Sequence, residues 1–594
     1  MTGAGPALEY HDLSWVDIDA MAVNGGDRRI ARQFGESERS RVLLLLRAIL
    51  RQAGEARDAT GPLPPLGDAW DTLARAQQAA PAALDAVLDH PFTGAWAAHT
   101  IRRLRGGRPG PFPLWAQLGH LHALAAAAAV RAGIGARLRC PVTAGRAVLP
   151  TLGAAELGGD DGTAWCDVEV EAGQAGISGD GRRVLMPADP ARRAGGWRGL
   201  RRFHLRSEGL ELTLCLDDLD PYRGLAEPLP PEPLGEDDER AWGALLGSAW
   251  DLVCRAVPGI AAVMPYGLTT IVPRPPAGAF REVNASSADA FRSAAIGRPR
   301  DAATLGSILV HEFQHIELGA LLHLVRMHDD AGTPRFYAPW RDDPRPLGGM
   351  LQGVYAFAGV ASYWHGLAER SDGRLRRRAE FEFARWHPAV LGALREIRTD
   401  TALTGTGTRF LDGVERRLRQ WDGDRIPPET AAPAELARLE HHLVWRVRHV
   451  RPDPAAVDSL ARSWLKGVPP ETAEITAGLS PDGGGTAARE VGDLLRLRAM
   501  DGEIPAAPQA GHALAAGDHQ RAFAAYAAEL VDSPSRASAW AGFALAARAA
   551  RPGGAAELLC SRPELVHALH AAIRATGAAP DPWEVAAWLV RTGL

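Results

Sequence analysis

The chain has 594 residues, of which 46% are hydrophobic and 23% are charged, and its formal net charge is -5. This composition is that of a globular protein with two to four domains, and it excludes a disordered or fibrous chain. The small negative charge gives no general attraction to nucleic acids or to acidic membrane surfaces, so neither is expected as a partner.

Cysteine usage and the N-terminal residues predict the compartment. The five cysteines are widely spaced and contain no C-x-x-C pair, so neither a disulfide framework nor a cysteine zinc site is expected. The chain starts without the basic residues and apolar run of a signal peptide, and the apolar segment 121–130 is too short to cross a bilayer. We expect a soluble cytoplasmic protein.

The first part of the chain, residues 1–139, is predicted to be a helical N-terminal region. Apolar residues recur close to helical period between Glu36 and Gln52, and Pro and Gly clusters separate this segment from the next helical ones.

Residues 140–233 are predicted to be a strand-rich insert. Apolar residues alternate with polar ones in residues 166–171 and 210–216, as in half-buried strands. The Asp180-Gly181 pair is typical of a hairpin turn.

Residues 234–475 are predicted to be a catalytic core and residues 476–594 a C-terminal helical region. The core contains a helix at about 302–327, a long Pro-rich loop and a second helix at about 350–369. The region that follows the core includes a segment that resembles one tetratricopeptide-type helical hairpin, with a simple helical cap as the alternative. The predicted fold class is mainly α with a strand-rich insert (α+β).

The predicted helix at 302–327 carries the motif His311-Glu312-Phe313-Gln314-His315. On a helix, residues four apart lie on one face about 6 Å apart, so His311 and His315 can direct imidazole nitrogens at one divalent metal ion, with Glu312 beside them as a catalytic acid or base. The flanking residues are strongly apolar, and buried polar groups are costly unless something satisfies them. The alternative is a pair of histidines hydrogen-bonded in a core or facing solvent.

The third metal ligand stays open at this point. Leu318 and Leu321 occupy the Gly and His positions of the metzincin pattern, and no glutamate lies between Glu317 and Glu369 to act as in gluzincins. On the second helix, Gln352 is the first candidate for a metal or substrate contact, with a supporting role as the alternative.

The loop between the two helices contains Arg341 and Arg345 among prolines and beside Trp340. Guanidinium groups bind carboxylates through paired hydrogen bonds, so the two arginines are candidates to hold a carboxylate-bearing cosubstrate or a peptide terminus. The alternative is that they pair with Asp342, Asp343 or another surface acid. Trp340 and, on the second helix, Tyr355 are expected to contact the substrate.

Four segments together resemble the actinobacterial HExxH-motif peptide-modification proteins, which occur alone or fused to radical SAM maturases. The resemblance covers roughly residues 10 to 550 and depends on the segments 216–223, 310–324, 337–347 and 351–356. Without a cysteine cluster for an iron-sulfur centre, the chain resembles the stand-alone form.

The resemblance implies an oxidoreductase that acts in the biosynthesis of ribosomally made, post-translationally modified peptides. Some of these proteins resemble iron(II)- and 2-oxoglutarate-dependent dioxygenases that hydroxylate the β-carbon of a residue in a precursor peptide. It implies iron ligation by His311 and His315, a catalytic or supporting role for Glu312, and a 2-oxoglutarate carboxylate at Arg345 or Arg341. The cofactors would then be Fe(II), 2-oxoglutarate and O2, and the partners a precursor peptide and a radical SAM maturase.

Two other functions remain open. A zinc peptidase would use Glu312 as the general base for a metal-bound water. A non-catalytic scaffold would bind a peptide or a maturase and keep a degenerate metal site.

Overall fold

The computed structural model describes residues 11–55, 60–108, 110–159, 162–224, 227–275, 284–329, 331–469, 475–480, 490–504 and 507–593. These residues contain 21 α-helices and 15 β-strands, so the protein is mainly α with a substantial β part. The chain divides into two compact units, residues 1–325 and 326–594. The division falls inside the 234–475 range predicted as one catalytic core. Among the described residues, no helix combines the length and apolarity that a membrane span requires.

The first unit begins with six helices, which confirm most of the region 1–139 predicted to be helical. Residues 1–10 of that region lie outside the described residues, and residues 136–139 belong to the first strand. The apolar segment 121–130 lies in the sixth helix, where every one of its residues is buried, so it forms part of the protein core. The helices are α1 (Trp15–Asn24), α2 (Arg28–Glu55), α3 (Leu66–Ala79), α4 (Pro81–Leu88), α5 (Pro91–Leu104) and α6 (Leu114–Ala132).

Ten strands follow, and eight of them form one sheet in the order β6-β5-β4-β1-β2-β3-β8-β7. These strands confirm the strand-rich segment, and buried positions alternate with exposed ones along residues 166–171 and 210–216 as expected. The predicted turn is also found, since Asp180 and Gly181 both have positive φ between β5 and β6. The strands are β1 (Ala136–Thr143), β2 (Arg146–Leu149), β3 (Gly153–Glu156), β4 (Thr163–Glu171), β5 (Gln174–Gly179), β6 (Arg182–Leu185), β7 (Arg193–Ala194), β8 (Trp197–Gly199), β9 (Arg201–Ser207) and β10 (Leu210–Leu216).

A second sheet and three further helices complete the first unit. The sheet has the order β12-β13-β11-β10-β9, in which β10, β11 and β13 run parallel. The elements are α7 (Glu236–Ala256), α8 (Pro258–Gly267), β11 (Thr270–Arg274), β12 (Ala285–Ser286), β13 (Ser293–Gly297) and α9 (Ala302–Leu324).

The second unit is almost entirely helical. A buried carboxylate organises part of its core, because Glu440 accepts the backbone N–H groups of Val491 and Gly492 at the start of a helix, at 3.0 and 2.6 Å. The first elements are α10 (Leu347–Glu369), α11 (Gly373–Arg398), α12 (Gly405–Arg419), α13 (Pro428–His449), β14 (Val450–Pro452), α14 (Pro454–Lys466) and β15 (Ala477–Leu479).

The remaining helices share one apolar core with α13 and α14. Two of them, α17 and α18, are adjacent and pack closely, with Tyr526 and Trp540 fully or almost fully buried. A relation to tetratricopeptide repeats stays a prediction. These helices are α15 (Glu490–Asp501), α16 (Ala510–Ala516), α17 (His519–Asp532), α18 (Ala537–Ala550), α19 (Gly554–Ser561), α20 (Pro563–Arg574) and α21 (Pro582–Arg591).

The segment 216–223, one of the four that carry the resemblance, is a buried polar turn after β10. Asp217 Oδ1 accepts the backbone N–H groups of Leu219 and Asp220 at 3.1 and 2.9 Å. Asp220 Oδ2 lies 3.2 Å from Nε2 of His90, the residue that precedes α5. The aspartates therefore hold the turn and tie it to the N-terminal helices.

The two aspartates of this turn have opposite pKa shifts. Burial, with the charge of Asp220 next, raises the pKa of Asp217 to about 6. Burial opposes ionisation of Asp220 as well, but the hydrogen bond with His90 and the nearby His120 lower its pKa below the ordinary value. Ionisation of Asp217 therefore destabilises the folded protein.

We expect Asp217→Asn to stabilise the protein at high pH and not at low pH. A folded-state pKa above the ordinary value means that wild-type stability falls as the pH rises toward and through about 6. The Asn variant keeps the oxygen that accepts both backbone N–H groups and removes the charge. Thermal unfolding across this range should show a higher Tm for the variant above about pH 6.

Asp220→Asn is the matched control, because it removes a carboxylate that contacts His90. At pH values above the ordinary pKa of a carboxyl group, this variant should have a lower Tm than wild type, because the pKa of Asp220 is lowered in the folded protein. A Tm of Asp217→Asn equal to or below that of wild type at high pH would contradict the assignment.

Candidate metal centre

Helix α9 begins at a side-chain cap and is buried along most of its length. The Asp301 side chain accepts the backbone N–H of Thr304 at 2.9 Å, which satisfies one of the free N–H groups of the first turn. The helix packs against α7, α8 and the second sheet. Between Ala303 and Leu321, only Ser307, His311 and His315 are partly exposed, and they form one stripe along the helix.

The two imidazole rings converge at this stripe. His311 Nε2 and His315 Nε2 are 3.1 Å apart, and the ring centroids are 4.5 Å apart at an interplanar angle of 86°. Two nitrogens at about 2.0–2.1 Å from one ion are about 2.9–3.4 Å apart when the angle at the ion is between a right angle and tetrahedral. The separation fits two ligands of one divalent ion, and it equally fits a hydrogen bond between the two rings, the alternative that the sequence left open.

The electrostatic surroundings favour the neutral form of the first histidine. Burial, and then the neighbouring His315 ring, hold the pKa of His311 well below its ordinary value. A metal ion binds the neutral imidazole, so no proton must be displaced from His311 at neutral pH.

The carboxyl group of Glu312 lies beside the histidine pair and is 1% exposed. Its Oε1 is 4.0 Å from His311 Nε2, and its Oε2 has no hydrogen-bond partner. Burial raises the pKa of Glu312 to about 7, against the opposite effect of a hydrogen bond with Ser286 on β12. The group can therefore hold or release a proton near neutral pH next to the candidate ligands.

A complete set of protein ligands is not found. No group of three or more His, Cys, Asp or Glu side chains in the described part of the chain is arranged to hold a metal ion. The donor chemistry and spacing of His311 and His315 fit iron(II) or zinc as two ligands, and the third ligand stays unassigned.

The arginines of the loop in the second unit both contact one carboxylate. Arg341 Nε donates to Asp343 Oδ1 at 2.9 Å, and Arg345 Nη1 donates to Asp343 Oδ2 at 3.2 Å. These contacts are the alternative that the sequence left open. They also show that the two guanidinium groups can share a single carboxylate.

The loop is fixed to helix α13. Tyr337 Oη lies 2.7 Å from His441 Nδ1, and His449 Nε2 lies 2.7 Å from the backbone oxygen of Asp342. Arg341 therefore lies between two anchored residues, and a backbone bridge with Phe336 holds Arg345.

Three further predicted site residues also lie in the second unit. Trp340 stacks on Phe357 at 4.8 Å, and its indole ring lies so close to Gly353 that a Cβ atom there would overlap it. Gln352 is partly exposed at the start of α10. Tyr355 is fully buried and packs beside Phe410 at 5.2 Å, a position that supports the helix core. The roles of these three in binding stay predictions.

Sequence reasoning missed two side chains near the motif. Ser286 lies in a polar segment that the sequence shows, but its contact with Glu312 depends on how β12 packs against α9. Glu317 is 1% exposed, and neither of its carboxyl oxygens has a hydrogen-bond partner. Burial, and then Asp27, raise its pKa well above the ordinary value, which favours the neutral acid.

Neither a family model nor a curated protein matches this chain. The candidate site is therefore defined by the geometry of α9 and by the chemistry of its donors.

We expect His311→Ala and His315→Ala each to lower the affinity for Zn2+ or Co2+ by roughly a hundredfold or more, because removal of a ligand costs more than loss of a group that orients one. Both variants should stay folded, since the two rings occupy the partly exposed stripe of α9. Metal titration and far-ultraviolet circular dichroism measure the two effects.

His323→Ala is the control on the same helix, because its ring contacts Glu38 at 2.5 Å and is not part of the pair. It should bind metal as wild type does. Unchanged metal occupancy in both motif variants would exclude the centre.

Proposed function

We propose that the chain is an iron(II)- and 2-oxoglutarate-dependent hydroxylase that modifies the β-carbon of a residue in a ribosomally synthesised precursor peptide. The observation that supports a metal enzyme is the approach of His311 Nε2 and His315 Nε2 to 3.1 Å on the partly exposed stripe of α9. Two histidines with open positions suit non-haem iron. The cosubstrate and the peptide come from the resemblance to the HExxH peptide-modification proteins.

In this proposal His311 and His315 would bind the ion, and the Glu312 carboxyl group beside them would accept or donate a proton. Bound iron(II) supplies the capacity to use O2 and 2-oxoglutarate for hydroxylation of a C–H bond. The Glu312 carboxyl is buried, has one oxygen without a partner and has a pKa near neutrality, so it can orient or protonate a neighbouring group without leaving the protein core.

The carboxylate of 2-oxoglutarate is assigned to Arg345 and Arg341. Both side chains already bind a carboxylate, that of Asp343, at 2.9 and 3.2 Å. A cosubstrate carboxylate would replace Asp343 and keep the same pairing of charge and hydrogen-bond geometry.

The second candidate function is a zinc peptidase, and the pKa of Glu312 is the observation that favours it. A carboxyl group with a pKa of about 7 and an oxygen 4.0 Å from His311 Nε2 has the properties of a general base for a metal-bound water. The two candidates use the same side chains for different chemistry.

We expect Glu312→Gln to separate the two functions. In a hydroxylase no general base is needed to activate water, so the variant should slow or uncouple hydroxylation and leave the product unchanged. In a zinc peptidase the variant should lose nearly all turnover while it still binds substrate. Mass spectrometry of a candidate precursor peptide under air with iron(II), ascorbate and 2-oxoglutarate, against an anaerobic sample with zinc, measures the outcome.

Glu317→Gln is the matched control, because it makes the same carboxyl-to-amide change at another buried glutamate of the same helix. A gain of one oxygen atom only in the aerobic iron sample supports the hydroxylase. Chain cleavage in the anaerobic zinc sample that is lost in Glu312→Gln and kept in Glu317→Gln would establish the peptidase instead.

We expect Arg345→Ala to weaken 2-oxoglutarate binding more than metal binding. A charge-assisted hydrogen bond contributes about 1.5–3 kcal/mol, which corresponds to roughly 10- to 150-fold in affinity. Calorimetric titration of the metal-loaded protein with 2-oxoglutarate measures the change.

Arg335→Ala serves as the control, because Arg335 belongs to the same loop and pairs with Asp400 at 2.8 Å. Asp343→Asn removes the internal competitor and should strengthen 2-oxoglutarate binding. Equal binding by wild type, Arg345→Ala and Arg341→Ala would make the arginine pair purely structural.

A further inference from the structure

Two cysteines lie directly opposite each other in the middle of the eight-stranded sheet. Cys140 of β1 is paired with Cys166 of β4 in an antiparallel ladder that runs without a break from Ala136 to Thr143. The two strands occupy the third and fourth positions of the sheet counted from β6. The pairing brings together two thiols that are distant in the sequence.

Both thiols point to the same, buried face of the sheet. On β1 the buried positions Leu138, Cys140 and Val142 alternate with more exposed ones, and on β4 the buried set includes Cys166 and Val168. Directly opposite residues of an antiparallel pair have Cα atoms about 4.5 or 5.5 Å apart. Both values lie within the range of about 4.4–6.8 Å that a disulfide spans.

Burial raises the pKa of both thiols. Burial raises the pKa of the Cys166 thiol to about 12, although a hydrogen bond from the Cys140 backbone N–H acts in the opposite direction. Burial also raises the pKa of the Cys140 thiol well above its ordinary value. Both thiols therefore stay protonated near neutral pH and react slowly.

No other cysteine has this arrangement. Cys215 faces Arg202 and Thr270 across its two ladders, Cys254 lies in α7 and Cys560 lies in α19. All five cysteines are free thiols in the structure.

We propose that Cys140 and Cys166 are a redox-sensitive pair that forms a cross-strand disulfide with hydrogen peroxide as the oxidant. One of the two sulfurs attacks a peroxide oxygen, the O–O bond breaks, and a sulfenic acid and one water form after transfer of the thiol proton. The other sulfur then attacks the sulfenic sulfur, the S–S bond forms, and a second water leaves. Two thiols and one peroxide give one disulfide and two waters.

Burial determines the behaviour of this crosslink. The thiols are fully buried, so oxidation requires a small oxidant and proceeds slowly, and external thiols reduce the native disulfide slowly as well. The bond connects two strands that are already paired, so the fold is retained and the unfolded chain is constrained.

The test uses the full-length reduced protein, treated with hydrogen peroxide and then alkylated in denaturant. Trypsin cleaves after Arg139, Arg146 and Arg182, which places the two cysteines in separate peptides, residues 140–146 and 147–182. We expect the intact mass to fall by two hydrogens and the two peptides to be linked when no reductant is present. The oxidised protein should have a higher Tm. Reduction with dithiothreitol in denaturant, followed by refolding, should return the Tm to that of the reduced protein.

Cys215→Ala is the matched control and should keep both the linked peptides and the Tm shift. Cys140→Ala and Cys166→Ala should each lose them. Recovery of both peptides as alkylated thiols, in a sample in which the half-buried Cys560 has been oxidised, would overturn the proposal.

Discussion

In α9, nearly every side chain between Ala303 and Leu321 packs against neighbouring elements, and this packing fixes the rotation of the helix about its axis. Because the rotation is fixed, the one partly exposed stripe must contain His311 and His315, and helical spacing then brings their Nε2 atoms to 3.1 Å. The position of Glu312 follows from the same constraint, since the next residue along the helix turns into the core. A single packing arrangement thus places both candidate ligands and the neighbouring acid.

The features that depend on local periodicity could be predicted from the sequence. The helix of the motif, the alternating strands of the insert and the Asp180-Gly181 hairpin are all local patterns, and the structure contains each of them. Contacts between distant segments could not be predicted in this way. His90 and Asp220 meet only after the N-terminal helices pack on the turn beyond β10, and Ser286 reaches Glu312 only when β12 lies beside α9.

The loop of the second unit shows why a chemical motif does not define a binding site. Guanidinium groups bind carboxylates, and the structure provides such a carboxylate within the loop, two residues from each arginine. The prolines explain only part of the loop's order, because the side chains of Tyr337, His441 and His449 hold it in place. The division of the chain after residue 325 falls where α9 ends and the loop before α10 begins. The sequence predicts that loop, but whether the segments on its two sides share one core depends on contacts between distant residues.

The close approach of Trp340 to Gly353 links two positions that sequence comparison would treat as independent. Any side chain at 353 would occupy the volume of the indole, and a smaller residue at 340 would leave a void on α10 beside Phe357. Among natural variants of this chain, the two positions should therefore change together, with glycine at 353 found wherever 340 is tryptophan. Such covariation would mark the loop and α10 as one inherited unit, whichever ligand the neighbouring arginines bind.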